Sequence, residues 1–242
     1  MRYLILSDIH SNLAALEAVL ADAGPFDKVW CLGDVIGYGP QPNECIERLK
    51  ELPHICVAGN HDWASINKLD ISSFNPDARQ ACLWTREQLT PSNWEFIESL
   101  PEKLVEDNFT IVHGSPRYPI WEYITHQFVA AANFAHFDTT YCLFGHTHVP
   151  VVYAFTGSQR TCDAFLLVPN EPMPIGEQRL LINPGGVGQP RDGDPRASYM
   201  ILDKEANTIE LRRVEYPIEE TQRLMATLKL PPRLATRLSF GW

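Results

Sequence analysis

The chain has 242 residues, 45% of them hydrophobic, and a formal net charge of −10. That length and apolar content suffice to bury a full core as one domain over 1–242, whereas the acidic balance disfavours a sequence-independent grip on long nucleic acid, which needs many Lys and Arg to displace counterions. The apolar start gives way to Ser7-Asp8 too soon for a secretory leader, no stretch reaches membrane-spanning length, and the six widely spaced cysteines include no Cys-X-X-Cys pair; a soluble, cytoplasmic protein without a membrane partner is expected.

Tyr3 to Leu6 reads as the first strand, and Leu13, Leu16, Val19 and Leu20 follow at helical spacings of three and four. Lys28 to Leu32 is the next strand, Asn43 to Leu52 a helix and His54 to Val57 a third strand. This βαβαβ rhythm favours a largely parallel sheet covered by helices. Asn75 as cap and Pro76 at the first helical position start a helix to Leu89, and Ser92 to Leu100 is a second. Beyond Pro101 the chain turns strand-rich. Lys103 to Glu106 and Phe109 to Val112 form a hairpin around Asp107-Asn108, and a helix near Gln127 to Ala135 leads to the strand Tyr141 to Phe144. Further strands are expected at Val151 to Phe155, Arg160 to Val168, Leu180 to Ile182, Ser198 to Asp203 and Thr208 to Val214. Pro169 to Glu177, with three prolines, reads as an exposed loop, and Ile218 to Leu230 as a terminal helix stopped by Pro231-Pro232. The pattern predicts an α/β domain with two sheets packed face to face and helices outside.

The informative polar residues share one position type, just past the end of a strand. Asp8 and His10 follow the first strand, Asp34 the second and Asn60-His61-Asp62 the third; His113 ends the Phe109 strand, and His146 and His148 follow the Tyr141 strand. In open α/β sheets the loops at the strand carboxyl ends gather into one crevice, so these donors are expected to converge. Five of the eight histidines fall at such ends, which core packing does not explain, while His54, His126 and His136 lack the setting and are read as ordinary surface or core residues. Imidazole, carboxylate and an amide oxygen suit Mn²⁺, Fe or Zn²⁺ better than the all-oxygen surroundings preferred by Ca²⁺ or Mg²⁺.

Gly33, Gly59, Gly114 and Gly145 are expected to let the backbone turn sharply at the strand ends. Gly37-Tyr38-Gly39-Pro40 and Asn183-Pro184-Gly185-Gly186 read as plain turns. Cys31, Cys45, Cys56, Cys82, Cys142 and Cys162 are read as core packing without chemistry.

Asp8-Ile9-His10, Gly33-Asp34, Gly59-Asn60-His61-Asp62, His113-Gly114 and Gly145-His146-Thr147-His148, in this order, resemble the five-block signature of the calcineurin-like metallophosphoesterase superfamily, in its compact bacterial and archaeal branch. The resemblance implies a four-layer αββα sandwich of two mixed sheets flanked by helices, with two divalent metal ions between the sheets. It implies Asp8, His10 and His148 on one metal, Asn60, His113 and His146 on the other, and Asp34 bridging. Mn²⁺ is the first expectation, with Fe, Zn²⁺ or Ni²⁺ as alternatives. His61 is implied to lie outside the ligand set and, as an imidazolium, to protonate the leaving group. The implied activity is hydrolysis of small phosphomono- or phosphodiesters, nucleotides among them, by a water that the metals activate. A nuclease and a non-catalytic metal-binding scaffold are the alternatives.

Gly37-Tyr38 stands where protein Ser/Thr phosphatases have an Asp-Arg pair, and Asp62 where they have Glu. The phosphate clamp and the usual partner of the catalytic histidine are thus both missing, and Asp62 or a backbone carbonyl is expected to orient His61 instead. The partner is expected to be a small phosphorylated substrate, with specificity loops at Gly37 to Asn43, Arg117 to His126 and Pro169 to Glu177.

Overall fold

In the computed structural model, residues 1–157 and 160–242 are described. Alternating apolar residues sort the strands into layers. The first sheet begins with β1 (Arg2–Leu6), β2 (Lys28–Cys31) and β3 (His54–Cys56), all parallel, joined by α1 (Leu13–Asp22) and α2 (Pro42–Lys50). Along β1, Leu4 and Leu6 enter the core under the helices, while Tyr3 and Ile5 enter the core between the sheets. Along β2, Val29 and Cys31 separate in the same way from Trp30. This period of two is what a strand buried on both faces requires.

After β3 come α3 (Asn60–Ser65), α4 (Pro76–Gln88) and α5 (Pro91–Ser99). Asn75 caps α4 by accepting from Ala78 N at 2.9 Å, and Pro76 opens the helix as expected. The second sheet contains the hairpin β4 (Lys103–Glu106) and β5 (Phe109–Val112), then β6 (Tyr141–Leu143), β7 (Val151–Phe155), β8 (Cys162–Phe165) and β10 (Leu180–Asn183) in the order β4-β5-β6-β10-β7-β8. Its inner face carries Phe109, Ile111 and Leu143 against the first sheet, and its outer face packs Val112, Cys142 and Leu181 against α6 (Gln127–Asn133).

β9 (Met173–Pro174), β11 (Ala197–Asp203) and β12 (Thr208–Val214) complete the first sheet in the order β3-β2-β1-β11-β12-β9. Two mixed six-stranded sheets, covered outside by helices, make the four layers implied by the resemblance. The C-terminal α7 (Ile218–Thr227) and α8 (Pro232–Thr236) pack with α4 in a further apolar cluster. No helix among the described residues is long and apolar enough to cross a membrane.

The structure departs from the expected elements at four places. Asn60-His61-Asp62 opens the helix α3 instead of a loop, because Asp62 at its third position accepts the Gly59 N–H at 2.9 Å and satisfies a helix-start donor. The Arg160 to Val168 strand shortens to β8, an edge strand on which only Cys162 is buried. α7 stops three residues before Leu230, Lys229 takes a left-handed φ of 57°, and the chain beyond Pro231 turns into α8. Pro169 to Glu177 is only partly loop. Pro174 pairs with Thr208, Thr208 with Asp203 and Asp203 with Arg2, so this segment lies beside the beginning of β1. The donor residues follow the other end of β1, and Pro169 to Glu177 therefore does not border them.

Candidate metal centre

Parallel β1, β2 and β3 end on the same side of the first sheet, and parallel β5 and β6 deliver His113, His146 and His148 from the second. The chain must then reverse its side-chain direction within one or two residues. Asp8, His10, Asp34, His146 and His148 do so with φ between 49° and 64°, a left-handed backbone that is costly for residues with a Cβ. The strain is held by backbone bonds between strand ends: Asp8 N to Gly33 O at 3.1 Å, His10 N to Asp34 O at 2.9 Å and Gly145 N to His113 O at 2.8 Å. Gly59 and Gly145 serve by close approach, not by the sharp turning expected of them. A Cβ on Gly59 would overlap the Asp34 carboxylate, and one on Gly145 would overlap Ser7 Oγ and lie 2.9 Å from Asp8 Oδ2.

The side chains meet in two groups. In one, His148 Nε2 lies 3.1 Å from Asp8 Oδ1 and 3.2 Å from His10 Nε2. In the other, His113 Nε2 lies 3.3 Å from Asp34 Oδ2, 3.1 Å from Asn60 Oδ1 and 3.1 Å from His146 Nδ1. Asp34 Oδ2 is also 3.6 Å from His10 Nε2, so one oxygen faces both groups. All seven expected donors are therefore brought together.

The remaining ring nitrogens decide what these contacts are. His10 Nδ1 faces Ile36 O at 3.3 Å, His113 Nδ1 faces Leu32 O at 2.9 Å, His146 Nε2 faces Trp121 O at 3.2 Å, and His148 Nδ1 faces Gln189 O. A carbonyl only accepts, so each neutral ring carries its proton there and turns a bare lone pair inward. Lone pairs then face lone pairs and carboxylates. Asp8 Oδ1 and Asp34 Oδ2 are buried without a hydrogen-bond partner, while Asp8 Oδ2 is satisfied by Ser7 Oγ and His146 N, and Asp34 Oδ1 by His61 N. Converging acceptors with no donor between them fit a cation. Their separations of 3.1 to 3.6 Å match ligand atoms sharing an ion at about 2.0–2.2 Å.

Electrostatics point the same way. Burial works against ionised carboxylates, but His148 at Asp8 and His113 at Asp34 pull both well below the usual range. Burial lowers the pKa of His10, His146 and His148. Burial also opposes charge on His113, yet Asp34 and Asp8 outweigh it and raise its pKa to about 9. A proton and a cation compete for that nitrogen; the backbone bond to Leu32 holds the other ring proton on Nδ1 and also raises the pKa.

His61, on α3, stands apart from both groups, its ring 5.0 Å from that of His10 and 4.2 Å from that of Tyr38. Neither expected partner orients it. The Asp62 carboxylate is turned away to accept from Gly59 N and Ile36 N, and burial and Asp34 raise its pKa to about 7. Instead Cys82 Sγ of α4 lies 3.3 Å from His61 Nδ1, with burial pushing the thiol up to about 12. None of the six cysteines is in a disulfide and all are buried, but Cys82 touches the site. The sequence carries no signal for this pair, since 21 residues separate them and the contact depends on how α4 docks on α3.

The turn after β10 does more than reverse the chain. Asn183 donates to Gly145 O at 2.8 Å, Val187 N to Ser7 O and Gly188 N to Asp8 O at 2.9 Å each, so the loop splints β1 to the His146 segment. It ends at Arg191, half-buried, whose side chain reaches Gln189 Oε1 at 3.1 Å and the Tyr38 hydroxyl at 3.5 Å. A cavity of about 700 Å³ beside Arg233, Arg237 and Trp242 contains none of the donors, and donor chemistry, not size, locates the site. His54, His126 and His136 lie outside it, as expected.

Comparison with known proteins agrees with this geometry. The chain is 48% identical to a metallophosphoesterase from Sphaerobacter thermophilus, whose crystal structure superposes with a TM-score of 0.92 over 100% of this chain and 99% of that one. An uncharacterized protein of Methanocaldococcus jannaschii is 39% identical over 245 residues, 98% of this chain and 97% of its own. The phosphodiesterase YfcE of Escherichia coli K12 is 26% identical over 224 residues, 86% of this chain and 91% of its own. With the profile of the calcineurin-like phosphoesterase superfamily domain matching residues 1–207, the chain belongs to that superfamily and is a phosphoric ester hydrolase.

Proposed function

We propose that the protein hydrolyses small phosphate esters with two divalent cations, Asp8, His10 and His148 holding one, Asn60, His113 and His146 the other, and Asp34 shared between them. The observation that carries this reading is Asp34 Oδ2, an unpartnered buried oxygen 3.6 Å from a histidine of one group and 3.3 Å from a histidine of the other. When bound, such cations supply a nucleophile from water near neutral pH and neutralise charge on the phosphoryl oxygens. Four imidazoles with two carboxylates favour Mn²⁺ or a neighbouring transition metal over Ca²⁺.

The protein's own contribution is order. Backbone carbonyls fix all four imidazole tautomers, so no ligand ring has to rotate, and only His113 gives up a proton to a cation. His61 supplies a hydrogen to the departing oxygen. We assign the Cys82 thiol as donor to Nδ1, which leaves the ring's proton on Nε2, away from Cys82. Burial lowers the His61 pKa to about 4, which opposes the standing imidazolium first expected. The ring is therefore a neutral donor that strengthens its hydrogen bond as negative charge grows on the leaving oxygen. The complete donor set and the presence of His61 favour an enzyme over a scaffold.

Turnover of bis(4-nitrophenyl) phosphate by full-length protein tests the proposal. Exhaustive chelation should abolish it, and Mn²⁺ should restore it better than Ca²⁺. Undiminished turnover after elemental analysis has verified metal removal would overturn the two-cation reading.

A further inference from the structure

Between the donor histidines and solvent, side chains from four separate segments close a ring. Tyr38, from the turn after Asp34, packs 4.2 Å from His61 and 4.6 Å from His10. Phe74 continues from His61 at 5.4 Å and meets Trp121 at 5.3 Å. Trp121 approaches His146 at 6.3 Å, and Tyr123 stacks on His146 at 3.7 Å with an interplanar angle of 26°. Arg191 closes the circuit. Its guanidinium lies 5.8 Å from the Tyr38 ring and close enough to the Tyr123 hydroxyl to interact with it.

The members are not equivalent. Tyr38 is buried and forms wall, whereas Trp121 and Tyr123 are 43% and 46% exposed and present free aromatic surface beside the metal-holding histidines. Two large half-open rings beside the buried donor histidines suit a planar ring, because stacking needs a face and tolerates any heteroaromatic. Arg191 offers the complementary charge. It has no carboxylate partner within ion-pair distance among the described residues, and its Nε is buried without a hydrogen bond. A guanidinium left unneutralised near a site for two cations is unfavourable unless an anion joins them.

From this collar we infer the substrate class: a phosphoester whose non-leaving side carries a heteroaromatic ring, as a nucleotide does. The ring stacks on Trp121 and Tyr123, and Arg191 binds a phosphate oxygen that the cations do not. Such selectivity presupposes the hydrolase proposed above, so the test compares two diesters with one leaving group. Thymidine 5′-(4-nitrophenyl) phosphate should exceed methyl 4-nitrophenyl phosphate in kcat/KM by at least about 10-fold. Trp121→Leu should bring the ratio toward one and Trp121→Phe should restore most of it. Arg191→Met should raise KM for both diesters by about 10-fold or more, leaving their ratio in place. Equal kcat/KM for the two diesters, or a ratio that survives Trp121→Leu together with Tyr123→Leu, would overturn the assignment. If neither diester nor the monoester 4-nitrophenyl phosphate turns over with metal bound, the hydrolase reading fails. Calorimetric binding of thymidine monophosphate against methyl phosphate then decides the collar's role, and equal affinities would refute it.

Discussion

The donor nest and the aromatic collar lie within a few ångströms of each other and are built on opposite principles. Nest residues are buried, five of them in left-handed backbone, and each ring or carboxylate is oriented by main-chain groups of another segment. Collar residues come from connecting loops and a helix flank, are half-open in part, and touch one another mainly through side chains. A nest held by backbone cannot shift without disturbing the strands, so its chemistry is rigid. A collar held by side chains can be rebuilt by substitution without affecting the sheets, which is how one scaffold supports many substrates.

The contrast makes graded predictions. Asp34→Asn strikes the nest where both groups meet and should have the largest effect, lowering bound metal below two per chain and removing detectable turnover. Two tightly held metals and parental rates in that variant, by elemental analysis and kinetics, would break the claim that one oxygen serves both cations. His61→Gln should keep both metals, since only its backbone N–H touches Asp34. It should nevertheless lose about 10²–10⁴-fold on esters with alkoxide leaving groups and much less on nitrophenyl esters, whose anion departs unaided. An equal loss on both kinds would move His61 from the leaving oxygen to the non-bridging phosphoryl oxygens or to substrate positioning. Cys82→Ala sits at the low end. Removing one neutral hydrogen bond worth about 1 kcal/mol should cost about 3- to 10-fold in kcat/KM for alkoxide esters. Cys82→Ser, which keeps a donor, should recover part of that loss. Parental rates in Cys82→Ala would return the thiol to mere packing.

The division between the two regions is also the division between what the residues disclose and what they conceal. Alternation of Leu4 and Leu6 against Tyr3 and Ile5 disclosed a strand buried on both faces, and Asp8, Asp34 and Asn60 stood at successive strand ends in plain view. The helix starting at Asn60 was hidden, because a six-residue segment headed by three polar site residues shows no apolar period. Pro169 to Glu177 looked like a specificity loop by composition, yet the register of β9 on β12 carries it to the far end of the sheet. Cys82 facing His61, and Arg191 facing Tyr38 across 153 residues, left no local trace at all.

The sequence by itself thus determined the layers and the convergence of the strand-end donors, because strand periodicity and strand-end placement are local properties that hydrophobic burial and parallel topology turn directly into geometry, and the ordered motif blocks that resemble the superfamily signature singled out seven of those donors. The tertiary structure alone decided which atom of each donor faces inward, what steadies His61 and what surrounds the mouth. Those outcomes depend on carbonyls, thiols and rings brought together from distant segments. Their contacts form only after helices and loops have docked, and no spacing along the chain encodes them.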